Sequence, residues 1–295
     1  MKRTTWILVG AVIVLAIITY FVLRQPGETS TGETSGETLV SYDSAAVDKI
    51  EISSPGNSVV LEKQGNGWSM TSPMRYRADQ AVVTAAVGKG KSIEVKNVVS
   101  SNPEKQQVFQ VDSTGSLVQM YAGGNLVAAF RVGKPSTSYT ETYVRKEGSN
   151  DVYLADGMFS YVFTHPAKDW RDKSIFKTDP DLIRSVTYRY GDTTFTLANK
   201  DSLWRVNGDS ARDQASVRGV INSLANLQAD DFVDSALASA PKQVALIDVE
   251  GTQIRFCEGK TSGTYLVQTS QSPQWYEIQG WRASQVLKRK KDLVG

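Results

Sequence analysis

Ile50 and Ile52, and after them Val59 and Leu61, stand at alternate positions among polar neighbours. That period-2 pattern marks half-buried strands. Pro55-Gly56-Asn57 between them carries hairpin chemistry, and Trp68 falls on a third strand, where it covers the sheet. The pattern then returns. Segment 183–206 aligns with 47–70 at a constant offset of 136, so that Ile50 meets Val186, Ile52 meets Tyr188, Val59 meets Phe195, Leu61 meets Leu197 and Trp68 meets Trp204. Gly191-Asp192 supplies the second turn, and Asp79-Gln80-Ala81 meets Asp213-Gln214-Ala215. From Asp213 as an N-cap, Val217, Val220, Ile221, Leu224 and Leu227 recur at spacings of three and four, an amphipathic helix. Val83, Ala86 and Val87 repeat it more weakly, because Gly88 and Gly90 lower helix propensity. Beyond the helices, strands are expected around 117–122, 126–132, 141–146 and 151–155, with partners around 243–249, 252–257, 264–268 and 274–279. FRVGK (130–134) meets FCEGK (256–260), Tyr143-Val144 meets Tyr265-Leu266, and Tyr153 meets Tyr276. The expected fold class is α+β and strand-rich, a tandem duplication of a β-rich unit with one main helix each.

A different pattern precedes this. Trp6 to Leu23 runs without a charge, long enough as a helix to span about 27 Å of a hydrocarbon core about 30 Å thick. No small-residue cleavage site and no cysteine follow it, so the run reads as an uncleaved transmembrane anchor in contact with the lipid bilayer. Trp6, Tyr20 and Arg24 fit the membrane interfaces. Lys2 and Arg3 before the span predict a cytoplasmic N-terminus and a periplasmic or otherwise extracytoplasmic remainder. The Gly-Glu-Thr repeats that follow cannot bury enough apolar surface to order themselves. The expected organisation is therefore a cytoplasmic N-terminus (1–5), an anchor (6–23), a flexible linker (24–41), a first repeat unit (42–176) and a second (177–295).

Composition narrows the chemistry. The 295 residues carry 33 Lys and Arg against 31 Asp and Glu, a net charge of +2 that gives no reason to expect a nucleic-acid partner. With Cys257 and His165 as the single cysteine and histidine, a Cys/His zinc cluster and an intramolecular disulfide are excluded. His165 has no nucleophile motif around it and no counterpart in the second repeat. Gly259-Lys260-Thr261 imitates the end of a phosphate-binding loop, but Ile254 occupies the place of the required first glycine, so a strand-connecting turn is the better reading. Asp230, Asp231 and Asp234 lack the alternation and closing Glu of a calcium loop and read as a solvated loop. Tyr139, Tyr143, Tyr153, Tyr161, Trp275, Tyr276 and Trp281 stand at strand spacing and read as cross-strand and core aromatics rather than a sugar platform. The basic run Lys288-Arg289-Lys290-Lys291 reads as a solvated helix end. No catalytic, cofactor or metal residue is assigned, and an enzyme is not expected.

VDKIEIS, VVLEKQGNGW, the Asp-Gln helix start, FRVGK, TYV with VYLAD, and WRDKSIF together resemble the bacterial domain-of-unknown-function family 4340. Trp170-Arg171-Asp172-Lys173 is the most family-specific stretch and is expected to make an inter-unit or partner contact. The resemblance implies a membrane-anchored envelope protein beside the permease and ATPase of an ABC-type system akin to gliding-motility components, without a known activity. The expected role is a non-catalytic accessory or scaffold subunit. The alternative is an extracytoplasmic ligand-binding module for envelope carbohydrate or lipid.

Overall fold

The computed structural model describes residues 33–211 and 213–294. The expected N-terminus (1–5), the anchor 6–23 with Trp6, Tyr20 and Arg24, and the start of the linker lie outside them. Among the described residues no helix is long and apolar enough to cross a membrane. The chain divides into two compact units, the first ending at Trp170 and the second beginning at Arg171. The fold is strand-rich α+β, as the period-2 pattern predicts.

In the first unit ten strands form one antiparallel sheet: β1 (Glu33–Ser41), β2 (Lys49–Ser54), β3 (Asn57–Gln64), β4 (Gly67–Ser72), β5 (Tyr76–Arg77), β6 (Ser92–Ser100), β7 (Ser116–Ala122), β8 (Asn125–Pro135), β9 (Glu141–Lys146) and β10 (Val152–Asp156). Their order across the sheet is β1-β6-β10-β9-β8-β7-β2-β3-β4-β5. Ile50 lies opposite Leu61 on one side and Met120 on the other, and Ile52 lies opposite Val59 and Val118. All six are buried on one face, each contributing about 1.5–3 kcal/mol by leaving water. Helix α1 (Gln80–Gly90) and the short helix α3 (Phe159–Phe163) cover that face, while the single turn α2 (Gln106–Phe109) precedes β7. Phe163 meets Phe130 edge to face at 5.6 Å. The other face is polar, with Lys49 paired to Glu51 at 2.6 Å and lying over the Tyr121 ring.

Despite its glycines, α1 runs a full three turns. Asp79 Oδ1 accepts from the Ala81 and Val82 N–H groups, and tertiary packing of Val83, Ala86 and Val87 outweighs the propensity loss. Gly90 is required for a different reason. A Cβ there would sit 2.6 Å from the Tyr42 hydroxyl, which donates to the Val87 carbonyl and ties the helix end to the residue after β1.

The second unit contains β11 (Ser174–Lys177), β12 (Ser185–Arg189), β13 (Thr194–Lys200), β14 (Leu203–Val206), β15 (Asp209–Ser210), β16 (Asn226–Gln228), β17 (Asp231–Val233), β18 (Gln243–Val249), β19 (Thr252–Glu258), β20 (Thr264–Thr269) and β21 (Trp275–Gln279). Nine form a sheet in the order β15-β14-β13-β12-β18-β19-β20-β21-β17, and β11 pairs with β16. Helices α4 (Gln214–Ala225) and α5 (Gly280–Val286) contribute Val217, Ile221, Leu224, Ala283 and Val286 to its core. Tyr188 stacks on Phe195 at 4.8 Å within it.

Strand for strand, the two orders coincide once β16 and β17 are taken as one run interrupted at Ala229-Asp230, in the place β6 holds. The pairing of β1 with β6 (Thr38 to Glu94, Val40 to Ile93, Ser41 to Ser92) has the same register and the same irregular step as β11 with β16 (Ser174 to Gln228, Phe176 to Leu227, Lys177 to Asn226). Two boundaries read from the sequence change accordingly. The linker expected at 24–41 ends in strand β1, which hydrogen-bonds to β6 although its own sequence is mostly polar. The division expected at 176/177 falls earlier, because β11 pairs within the second unit.

Candidate functional site

Trp170 ends the first unit with 0% exposure. Its carbonyl accepts from the Asp79 N–H at 2.8 Å, and its indole N–H reaches the His165 carbonyl at 3.4 Å. His165 is half-buried, its ring set edge to face between Tyr161 and Trp170. Arg171, 2% exposed, opens the second unit. Its guanidinium donates to Asp234 Oδ2 at 2.7 Å and Gln274 Oε1 at 3.1 Å and lies 3.7 Å over the Phe232 ring. Asp172 caps the Ser174 N–H, and the Lys173 carbonyl accepts from Ala229. Each of these contacts lies within one unit.

Other motifs resolve similarly. Gly259 N–H donates to the Thr264 carbonyl and Thr264 N–H to the Thr261 carbonyl, so GKT is a closed hairpin turn beside a cavity of about 420 Å³. A Cβ at Gly259 would lie 2.1 Å from Thr264 Oγ1, which explains the glycine. Two of the aspartates are tied to arginines, though Asp234 remains exposed. Asp230 accepts from Arg282 through both carboxylate oxygens, at 3.2 and 2.9 Å, and from the Gln279 N–H, while Asp234 holds Arg171. Burial pushes the Asp230 carboxyl up, but these donors more than offset it and hold it below the ordinary carboxylate range. In the basic tail, Arg289 lies 3.7 Å over the Tyr190 ring rather than free in solvent. Burial pushes the Tyr190 hydroxyl up to about 12, partly opposed by Arg289. The aromatics divide: Tyr276 is core, Tyr143 meets Phe109, and Tyr139, Tyr161 and Trp281 are exposed.

The open feature of the first unit is a groove of about 490 Å³ between α1, the β3–β4 hairpin and the segment after β1. Its construction begins with Gln80, the first residue of α1. The Gln80 side chain accepts from the Trp68 N–H at 2.6 Å and donates to the Trp68 and Ala78 carbonyls at 2.9 and 2.7 Å. The amide thus acts as a strand partner for β4 and fixes the indole against the helix. Ser44, Ala45 and Val47 form one wall, Lys63 and Asn66 another, and Thr84, Val87 and Gly88 the helix side. Lys63 is the one charged residue of the lining, set among the Ser44 and Thr84 hydroxyls and the Asn66 and Gln80 amides.

The second unit repeats the framework and changes the rim. Gln214 accepts from Trp204 N–H at 2.8 Å and donates to the Trp204 carbonyl at 2.9 Å, and Asp213 caps α4. Where the first unit has Thr84 and Ala45, however, it has Arg218 and Asp181, which form an ion pair. Trp68 and Gln80 stood out in the sequence as repeated positions, but Ser44, Ala45 and Thr84 beside them carry no motif that marks a groove. The mismatch of Thr84 with Arg218, inside helices that otherwise match, was the available signal.

Compared with known proteins, residues 68–246 match a family model described as a domain of unknown function (DUF4340). No curated protein and no solved structure matches.

Proposed function

This chain belongs to the DUF4340 family, and on that premise we propose that it is a single-pass envelope protein whose extracytoplasmic part is a tandem duplication of one α+β unit. It acts as a non-catalytic accessory or scaffold subunit beside an ABC-type permease and ATPase. The observation that carries this reading is what the two units share. The paired positions are framework: the Asp79 and Asp213 caps, the Gln80 and Gln214 clamps, Trp68 and Trp204, and one strand order. On this reading, outward differences such as Thr84 against Arg218 are where a scaffold's surface would diverge toward partners. The test is purification of the full-length chain, tagged after Gly295, from native membranes. Recovery of permease and ATPase subunits is expected, and their absence overturns the accessory role. A reporter fused after Gly295 that is active only in the cytoplasm overturns the orientation.

A second reading, a ligand-binding module for envelope carbohydrate or lipid, is favoured by one observation, the open groove beside Trp68.

A further inference from the structure

Trp68 is 7% exposed, lines the groove, and donates its indole N–H to no acceptor among the described residues. The indole N–H is not among the buried polar atoms that lack a partner, so it is open to solvent in the groove and available as a donor to a ligand. Around it the Ser44 and Thr84 hydroxyls, the Asn66 amide and the Lys63 ammonium also make no hydrogen bond or ion pair among the described residues. Gln80 differs from them, since its amide is committed to Trp68 and Ala78. Five unengaged polar groups therefore converge on one concavity whose remaining lining, Val47, Val87 and the bare backbone of Gly88, is apolar. At about 490 Å³ it falls within the range of about 300–1,000 Å³ usual for ligand sites.

We infer that this groove binds a carbohydrate, one or two sugar rings with at most a single negative charge. The inference deepens the ligand-binding reading and rests on it. A sugar ring has apolar faces and a hydroxyl periphery, matching apolar walls rimmed by hydroxyl, amide and N–H groups. A lone Lys63 suits a neutral sugar or one carboxylate and cannot balance a phosphate-rich ligand. An acyl chain would offer no hydrogen-bond partner to the five polar groups that rim the groove. An extended peptide would seek a free strand edge, but β4 is paired with β3 and β5, and its Trp68 backbone is closed by Gln80. In the second unit the Arg218–Asp181 pair spans the corresponding place, so only the first unit offers the site in this form.

The test uses the full-length chain in detergent micelles, titrated calorimetrically with chitobiose, monomeric galacturonate and an unstructured decapeptide. One of the sugars binds, and the same addition shifts the Trp68 indole resonance, assigned by its loss in Trp68→Phe. The double variant Ala45→Asp/Thr84→Arg imports the bridging pair onto two exposed positions and weakens sugar binding at least about tenfold, or about 1.4 kcal/mol. Gly88→Leu, whose Cβ meets only open space, fills the groove from the helix side and acts in the same direction. Binding of neither sugar, binding of the peptide alone, or sugar binding unchanged in both variants overturns the proposal. The scaffold role is read separately, by co-purification of transporter subunits, so either proposal can fail while the other stands.

Discussion

Thr84 in the first unit and Arg218 in the second are each the fifth residue after a capping aspartate, on helices that bury matching faces and clamp a matching tryptophan. One ends in a hydroxyl beside an open groove, the other in a guanidinium bonded to Asp181, whose carboxyl it holds below the ordinary range. The difference costs the fold little, because both side chains point outward and water screens an exposed ion pair. A framework locked from inside can therefore change what its rim presents without renegotiating its core. Inward positions stay buried and largely apolar without keeping their volumes. Val83 corresponds to Val217, whereas Ile52 corresponds to Tyr188 and Val59 to Phe195, so each core is repacked around its own set of side chains.

The likeness of the two cores is tested most severely by matched truncations. Leu61→Ala and Leu197→Ala each remove a fully buried side chain, and each is expected to destabilise its own unit by about 2–5 kcal/mol. Hydrogen exchange resolved by unit is the measurement. A loss of protection spread equally over both units would show that they do not unfold as separate bodies.

Next in size are the glutamine clamps. Gln80→Leu and Gln214→Leu strip the partner from the Trp68 and Trp204 N–H groups and should each cost about 1–3 kcal/mol. Unequal losses in chemical denaturation would mean that the two clamps are alike in geometry and different in energy.

Asp230 sharpens a contrast, because the Arg282 pair interrupts the run β16–β17 whereas β6 is continuous. The folded Asp230 carboxyl lies below its unfolded value of about 3.9. Its stabilisation is thus complete above about pH 4 and is lost as pH falls through the lowered folded value. The gap between wild type and Asp230→Asn, about 1–3 kcal/mol near neutrality, should narrow on acidification below that point. A gap that stays constant down to about pH 2 would break the account.

The smallest effect is expected from Arg218→Thr, which should leave the thermal unfolding midpoint close to that of the unchanged chain, because water screens an exposed pair. A larger loss would assign the bridge a structural duty that the open groove manages without.

Most of the sheet was legible before any coordinates, because alternation at Ile50, Ile52, Val59 and Leu61 and the turn residues between them act locally. The strands at 116–122, 141–146, 243–249 and 264–269 follow the expected ranges to within a residue or two. β1 was not legible. Its polar sequence carries little strand pattern, and it is ordered by backbone pairing to β6, a partner distant in the chain. The aspartates misled for a related reason. Asp230 and Asp234 look solvated in sequence, while their partners Arg282 and Arg171 lie dozens of residues away.

The amino-acid pattern by itself determined the strand-rich α+β class and the helix caps, since each rests on spacings of two, three or four residues and on side chains that bond their own neighbours. Tertiary structure alone decided that Gln80 serves as a strand partner, that Gly90 makes room for Tyr42, and that one helix borders a groove while its counterpart is bridged. Those outcomes depend on groups brought together from separate stretches of chain, and no local periodicity encodes which of them will meet.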